Sequence, residues 1–222
     1  MVRAARLDGR RFAPGERFHF DLMVFEMRSP ALAYFAFSFS QLMREGPGPG
    51  RPGAELEAIH SLLPSGEAGE RVFDGHTLLS PAPLALPLEA SGEPVSRVIV
   101  RFVTPTELKG AGQVLREPQF GVLLCHCRFP RASVTARARS PRELKSSGSG
   151  PWRRVWMRSL TRANTERRSG KTGQRHTLSV FVGEAEYHGA LAEFIPYLKV
   201  ASWTGVGRQT TWGKGHIEVA VE

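Results

Sequence analysis

Residues 194–222 read FIPYLKVASWTGVGRQTTWGKGHIEVAVE. Phe194, Tyr197, Leu198 and Val200 share one side of a helix, and Pro196 fits that helix only near its first turn. Gly205, Gly207, Gly213 and Gly215 follow within eleven positions, and His216 to Val221 reads as a closing strand. Glycines at this density let the backbone take positive φ and pass close to a neighbour. Arg208, Gln209, Thr210, Thr211 and Lys214 stand among them. Free N–H groups with Arg and Lys form a phosphate cradle, so the expected neighbour is an anion.

The spacing excludes two common phosphate sites. A Walker loop ends in GKS or GKT and opens a helix, and a dinucleotide fingerprint lies between a strand and a helix. Here GVGRQTTWGKG follows a helix and runs into a strand, so neither fits. A tight connection with no ligand is the plain alternative, although a simple turn rarely needs four glycines and two cations.

The rest of the composition agrees with a polyanionic partner. The 222 residues carry a net charge of +9, and the 41% that are hydrophobic suffice for a core. Charge alone leaves RNA, DNA and an acidic membrane open. No apolar run approaches twenty residues and no signal-peptide core opens the chain, so a cytoplasmic protein is expected. Cys125 and Cys127 are too close for an ordinary disulfide. With His126 they invite a zinc assignment, but three adjacent residues do not converge easily on one tetrahedral ion, and no second pair is present. We therefore expect no metal and no cofactor.

Upstream, Met1 to Arg11 is polar and basic, and Phe18, Phe20, Leu22 and Val24 alternate as a half-buried strand does. Ser29-Pro30 starts a helix over Ala31 to Arg44, with Leu32, Phe35, Phe39 and Leu42 facing inward. Gly46-Pro-Gly-Pro-Gly50-Arg51 ends it, and Glu55 to Leu63 is a further strand. Ser65 to Glu93 is a loop with one short strand at Val72 to Leu79. Val95 to Val103 is strongly β, and Phe120 to Cys127 is helical. From Arg128 to Glu166 the arginines crowd and the pattern is lost, apart from Trp152 and Trp156. Pattern returns at Arg167, with a strand over Thr177 to Tyr187 and the last helix over Ala190 to Val200.

Four phrases in this order resemble one family. PGERFHFDLMVF with its helix and GPGPGR, then VRFVTPTELKGAGQVLREPQF, then RRSGKTGQRHTLSVFVGEAEY, then the terminal glycine loop are similar to blocks of the CRISPR repeat-RNA processing endoribonucleases of the RAMP superfamily. The resemblance implies an α+β fold of two ferredoxin-like (βαββαβ) units in tandem, 1–94 and 95–222, with the boundary near Pro94. Members carry a strand and helix ahead of the first block, so the first unit is expected to be incomplete. The catalytic histidine of many members lies in that part.

The reaction so implied is metal-independent cleavage inside a CRISPR repeat RNA, with the RNA's own 2′-hydroxyl as nucleophile. Histidine suits the proton steps because its unperturbed pKa is near neutrality. His176 has the strongest basic surroundings and is the candidate catalytic residue; His216 and His19 follow. The expected RNA contacts are Arg167, Arg168, Lys171, Arg175, Gly205, Gly207, Arg208, Gln209, Lys214, Gly215 and His216, with Trp212 placed to stack on a base. Other CRISPR effector subunits are the further partners this implies. Two other functions stay open: an inactive holder of processed guide RNA, and a basic ferredoxin-like module that assembles with proteins.

Overall fold

The computed structural model describes residues 1–24, 31–46, 50–81, 92–127, 155–157, 159–168 and 175–222, with backbone alone for 155–157, 162–168 and 175–179. Its strands are β1 (Val2–Arg3), β2 (Asp21–Leu22), β3 (Ile59–Leu62), β4 (Ala68–Phe73), β5 (Arg97–Thr106), β6 (Lys109–Gly110), β7 (Gln113–Val114), β8 (Val155–Met157), β9 (Thr161–Arg168), β10 (Arg175–His188) and β11 (Ile217–Val221). Its helices are α1 (Ala31–Glu45), α2 (Phe120–His126) and α3 (Ile195–Thr204). The fold is α+β. The chain divides into two compact units, one made of Met1–Val24 with Pro87–Glu222 and the other of Phe25–Leu86.

The larger unit is organised by β5. Its residues alternate in and out, with Val98, Val100, Phe102, Thr104 and Thr106 buried, as a two-residue period requires. β5 pairs antiparallel with β11 on one side and β10 on the other, and β10 pairs with β8, giving the order β11-β5-β10-β8. β9 also pairs with β10. On the outer face Arg97 bonds Glu186 (2.6 Å), and Arg101 approaches Glu218 at 3.6 Å.

The two helices cover the other face. α2 turns in Phe120, Leu123 and Leu124, and Cys127 just beyond it is also buried. α3 has Pro196 in its first turn, as expected, and buries Leu198, Val200 and Ala201. It ends at Gly205, whose N–H reaches Ala201 O at 2.8 Å with φ at 75°. Between sheet and helices, Phe102 meets Phe181 edge-on at 4.9 Å, and the buried Tyr187 hydroxyl donates to Pro118 O at 2.7 Å.

In the smaller unit α1 spans almost the residues expected. Its inward stripe differs, because Ala36 and Met43 are buried while Leu42 is 46% exposed. With Leu32, Phe35 and Phe39 half-buried, the stripe runs one residue away from the spacing expected at its end. The strand expected over Glu55 to Leu63 is shorter, Ile59–Leu62, and pairs with Ala68–Phe73, ahead of the expected Val72 to Leu79. Leu78 forms only a bridge to Phe73.

Among the described residues, no helix is long and apolar enough to cross a membrane. Ser29-Pro30 and 128–150 lie outside the described residues.

Phe102 is 1% exposed and meets both sheet and helices, so Phe102→Ala should cost about 3–5 kcal/mol. A urea midpoint close to that of the wild type would show that β5 is not the centre of the core.

Candidate nucleic-acid interface

The glycine segment closes over the end of β5. Val206 N bonds Gly215 O at 2.8 Å, Gly215 N reaches Pro105 O at 3.3 Å, and His216 N donates to Thr104 Oγ1 at 2.9 Å. Gln209, at φ 63°, starts a short 3-10 turn over Thr210–Trp212. Two glycines are required by contact. A Cβ at Gly207 would lie 2.3 Å from Glu107 O, and one at Gly215 would lie 1.9 Å from Val206 O. What these glycines approach is therefore the protein's own backbone.

The loop cations differ in their surroundings. Arg208 Nη1 bonds Glu107 Oε1 at 2.8 Å, and the carboxylate side chain is only 5% exposed. Arg208 N also donates to Glu107 O at 3.2 Å, so this arginine anchors the loop to the turn after β5. Lys214 is half-buried and makes no ion pair among the described residues. Trp212 is 62% exposed at the tip, and Trp203 is half-buried beneath the guanidinium of Arg3, 5.3 Å from the ring centre.

The basic block upstream reaches the same end of the sheet. β9 and β10 pair with Arg168 opposite Arg175 and Arg167 opposite His176. Phe181 stands opposite Thr106, the last residue of β5, so β10 before Phe181 extends past that strand. The glycine loop closes over the same Thr106 end. Backbone topology therefore places Arg167, Arg168, Arg175 and His176 at the end that carries Gly205 to His216. Lys171 lies outside the described residues. His188 is at the opposite end of β10, where it bonds Glu186 at 2.8 Å.

A third component was not singled out in the sequence. β1 pairs with β2 and lies against the loop, with Val2 O 2.8 Å from where a Cβ of Gly213 would stand. This brings Arg3 and Arg6 to the loop. Arg3 donates to Ser202 O, and Arg6 bonds Asp21 Oδ2 at 3.0 Å and contacts His19 Nε2. Strands of two residues leave no periodicity, so only the basic composition of Met1 to Arg11 signalled them. Burial first, and Arg3 second, hold the His216 imidazole down at about 4, which leaves it neutral at neutral pH.

The Cys125-His126-Cys127 run is structural. His126 Nε2 lies 3.2 Å from Lys109 N and 2.9 Å from Lys109 O, and burial pushes the Cys127 thiol above its usual range. No group of three His, Cys, Asp or Glu that could hold a metal occurs among the described residues.

Residues 100–217 match the family model of the CRISPR-associated endoribonuclease Cas6, and residues 2–84 match a model described as an N-terminal domain. No curated protein sequence matches the chain. Among solved structures, a Cas6 product complex is 20% identical with a TM-score of 0.43, over 60% of this chain and 54% of that one. Thermus thermophilus Cas6 is 16% identical with a TM-score of 0.41, over 60% and 56%. Another Cas6 product complex is 19% identical with a TM-score of 0.45, over 85% and 71%. The chain thus spans about half the length of the first of these.

Two outcomes check this geometry. Gly215→Ala should destabilise by about 2 kcal/mol or more, whereas Gly112→Ala, also at positive φ but with nothing within 4 Å, should cost only about 1. Equal unfolding midpoints for the two would refute the close approach. For His216, the unfolded chain takes its proton near 6.5 and the folded chain only near 4. Its contribution is then complete above pH 6.5 and is lost as pH falls through that window. The wild type should therefore weaken more than His216→Gln between pH 7 and 4.5, as read by urea midpoints.

Proposed function

The chain belongs to the Cas6 family of CRISPR-associated endoribonucleases, and from that premise we propose that it binds CRISPR repeat RNA and cuts it. The observation that carries this reading is the shared position of the basic β9–β10 end and the glycine loop at one end of the sheet's strands. An RNA strand laid across that end would pass both segments. The larger unit supports a ferredoxin-like assignment for 95–222. Its strands β5, β8, β10 and β11, taken in chain order with α2 and α3 between them, stand in the order 4-1-3-2 of a split βαβ sheet. We propose a second unit within 1–94, whose compact part is Phe25–Leu86, while Met1–Val24 groups with the larger unit.

Cleavage would use the RNA's own 2′-hydroxyl, leaving a 2′,3′-cyclic phosphate and a 5′-hydroxyl. Such a reaction asks the protein for in-line positioning, proton transfer and charge neutralisation, and needs no metal-bound water. His176, opposite Arg167 in the β9–β10 register, is the histidine that the sequence favours for proton transfer. Lys214 would steady the phosphates.

The Arg208–Glu107 pair favours a second reading, in which the loop is a brace and the protein holds RNA without cutting it. Incubation with the neighbouring repeat RNA in chelator separates the two. A shortened product ending in cyclic phosphate is expected, and binding should weaken about 10- to 100-fold between roughly 50 and 200 mM salt. Salt-sensitive binding with intact RNA would leave the holder, and no binding at low salt would sink both.

A further inference from the structure

One cluster beside the glycine loop has no part in the scheme above. Asp21, on β2, accepts from Arg6 Nη2 at 3.0 Å, and the other arm of the same guanidinium donates to His19 Nε2. A guanidinium can only donate, so Nε2 must be the accepting nitrogen and the ring proton sits on Nδ1. His19 is exposed, and the Arg6 side chain is 50% exposed while Asp21 is 17% exposed. The carboxylate is thus the fixed anchor, and the Arg6–His19 contact faces outward.

Arg3 adds a second observation. Its side chain lies over Trp203 and donates to Ser202 O, yet its buried Nε has no hydrogen-bond partner among the described residues. A buried donor without an acceptor costs free energy. Gln209 Oε1, on the loop itself, is likewise buried without a partner. His216 alongside is neutral at neutral pH, so the positive charge here belongs to the two arginines.

Arg3 and Arg6 carry two positive charges, Asp21 offsets one of them, and an exposed imidazole contacts Arg6. This set suits a phosphodiester rather than a cation. A carboxylate ligand would need only the arginines, whereas ribose-phosphate cleavage also needs a proton acceptor within reach.

We propose that Arg3, Arg6 and His19 form the seat of the scissile phosphate, with His19, in place of His176, as the residue that takes the 2′ proton; this rests on the RNA-cleaving reading. A phosphate oxygen arriving at Arg6 replaces His19 as the acceptor and frees Nε2. The 2′-hydroxyl gives its proton to Nε2 as its oxygen bonds to phosphorus, and the bond from phosphorus to the 5′-oxygen breaks. The 5′-oxygen takes one proton from solvent, and the imidazolium returns one to solvent.

The full-length chain and its His19→Ala variant test this with two forms of the repeat RNA, unmodified and uniformly 2′-O-methylated so that it cannot be cut. His19→Ala should lower the single-turnover rate about 10²–10⁴-fold while leaving the Kd for methylated RNA within about threefold. In the wild type, the His19 ring resonances should shift when methylated RNA is added, and Arg6→Ala should abolish that shift. Cleavage by His19→Ala at the wild-type rate, or His19 resonances unmoved by bound RNA, would overturn the proposal. A wild type whose His19 resonances shift but which leaves unmodified RNA intact would confirm the phosphate seat and overturn both the proton step and the cleavage reading.

Discussion

The close approach of two backbones holds this end of the molecule together. Carbonyl oxygens of Glu107 and Val206 occupy the space where side chains at positions 207 and 215 would begin. Only glycine permits that packing, and it lets the loop follow the end of β5 instead of bulging away from it. The hydrogen bonds from Gly215 to Pro105 and from His216 to Thr104 then become possible, and β11 enters the sheet in register with Ile217 opposite Phe102. The Arg208–Glu107 ion pair sits on the same contact. A buried carboxylate left without its arginine would be costly, so the pair holds loop and turn together as one piece.

With the loop fixed there, chemistry-bearing residues from distant parts of the chain gather at one end of the sheet. β5 supplies the platform, β10 carries its basic residues past it, and β1 with the turn after it brings Arg3 and Arg6 beside the loop. None of these placements depends on a long local motif. The first two follow from antiparallel pairing around β5, whose buried face ties sheet to helices through Phe102, Phe181 and Tyr187, and the third from the separate pairing of β1 with β2.

Much of the larger unit was legible in the sequence. The alternation of Val98, Val100 and Phe102 and the place of Pro196 in a first turn each have a local physical cause, whereas the last helix, expected over Ala190 to Val200, runs Ile195–Thr204 and stops at Gly205. The strand Thr161–Arg168 was not legible, because TRANTERR has no apolar alternation and pairing with β10 overrides its propensity. The pairing of Val2 with Leu22 was equally hidden, being a two-residue contact between distant segments. At the site, the glycines and the basic block were visible as types. The partner of Arg208 was not: Glu107 lies about a hundred residues away, in a turn that reads only as a connection. The sequence pointed to an anionic ligand where the fold first supplies a carboxylate of its own.

The way the glycine segment is held also sorts its positions by how much change they accept. Both ends are clamped by contacts too tight for any side chain, so neither its length nor its entry and exit can drift. Between the clamps, Thr211 and Trp212 point outward while Thr210 is packed underneath. Diversity is therefore confined to a small window on a rigid frame. Related chains could retune what that window touches, one residue at a time, without redesigning the sheet that carries it.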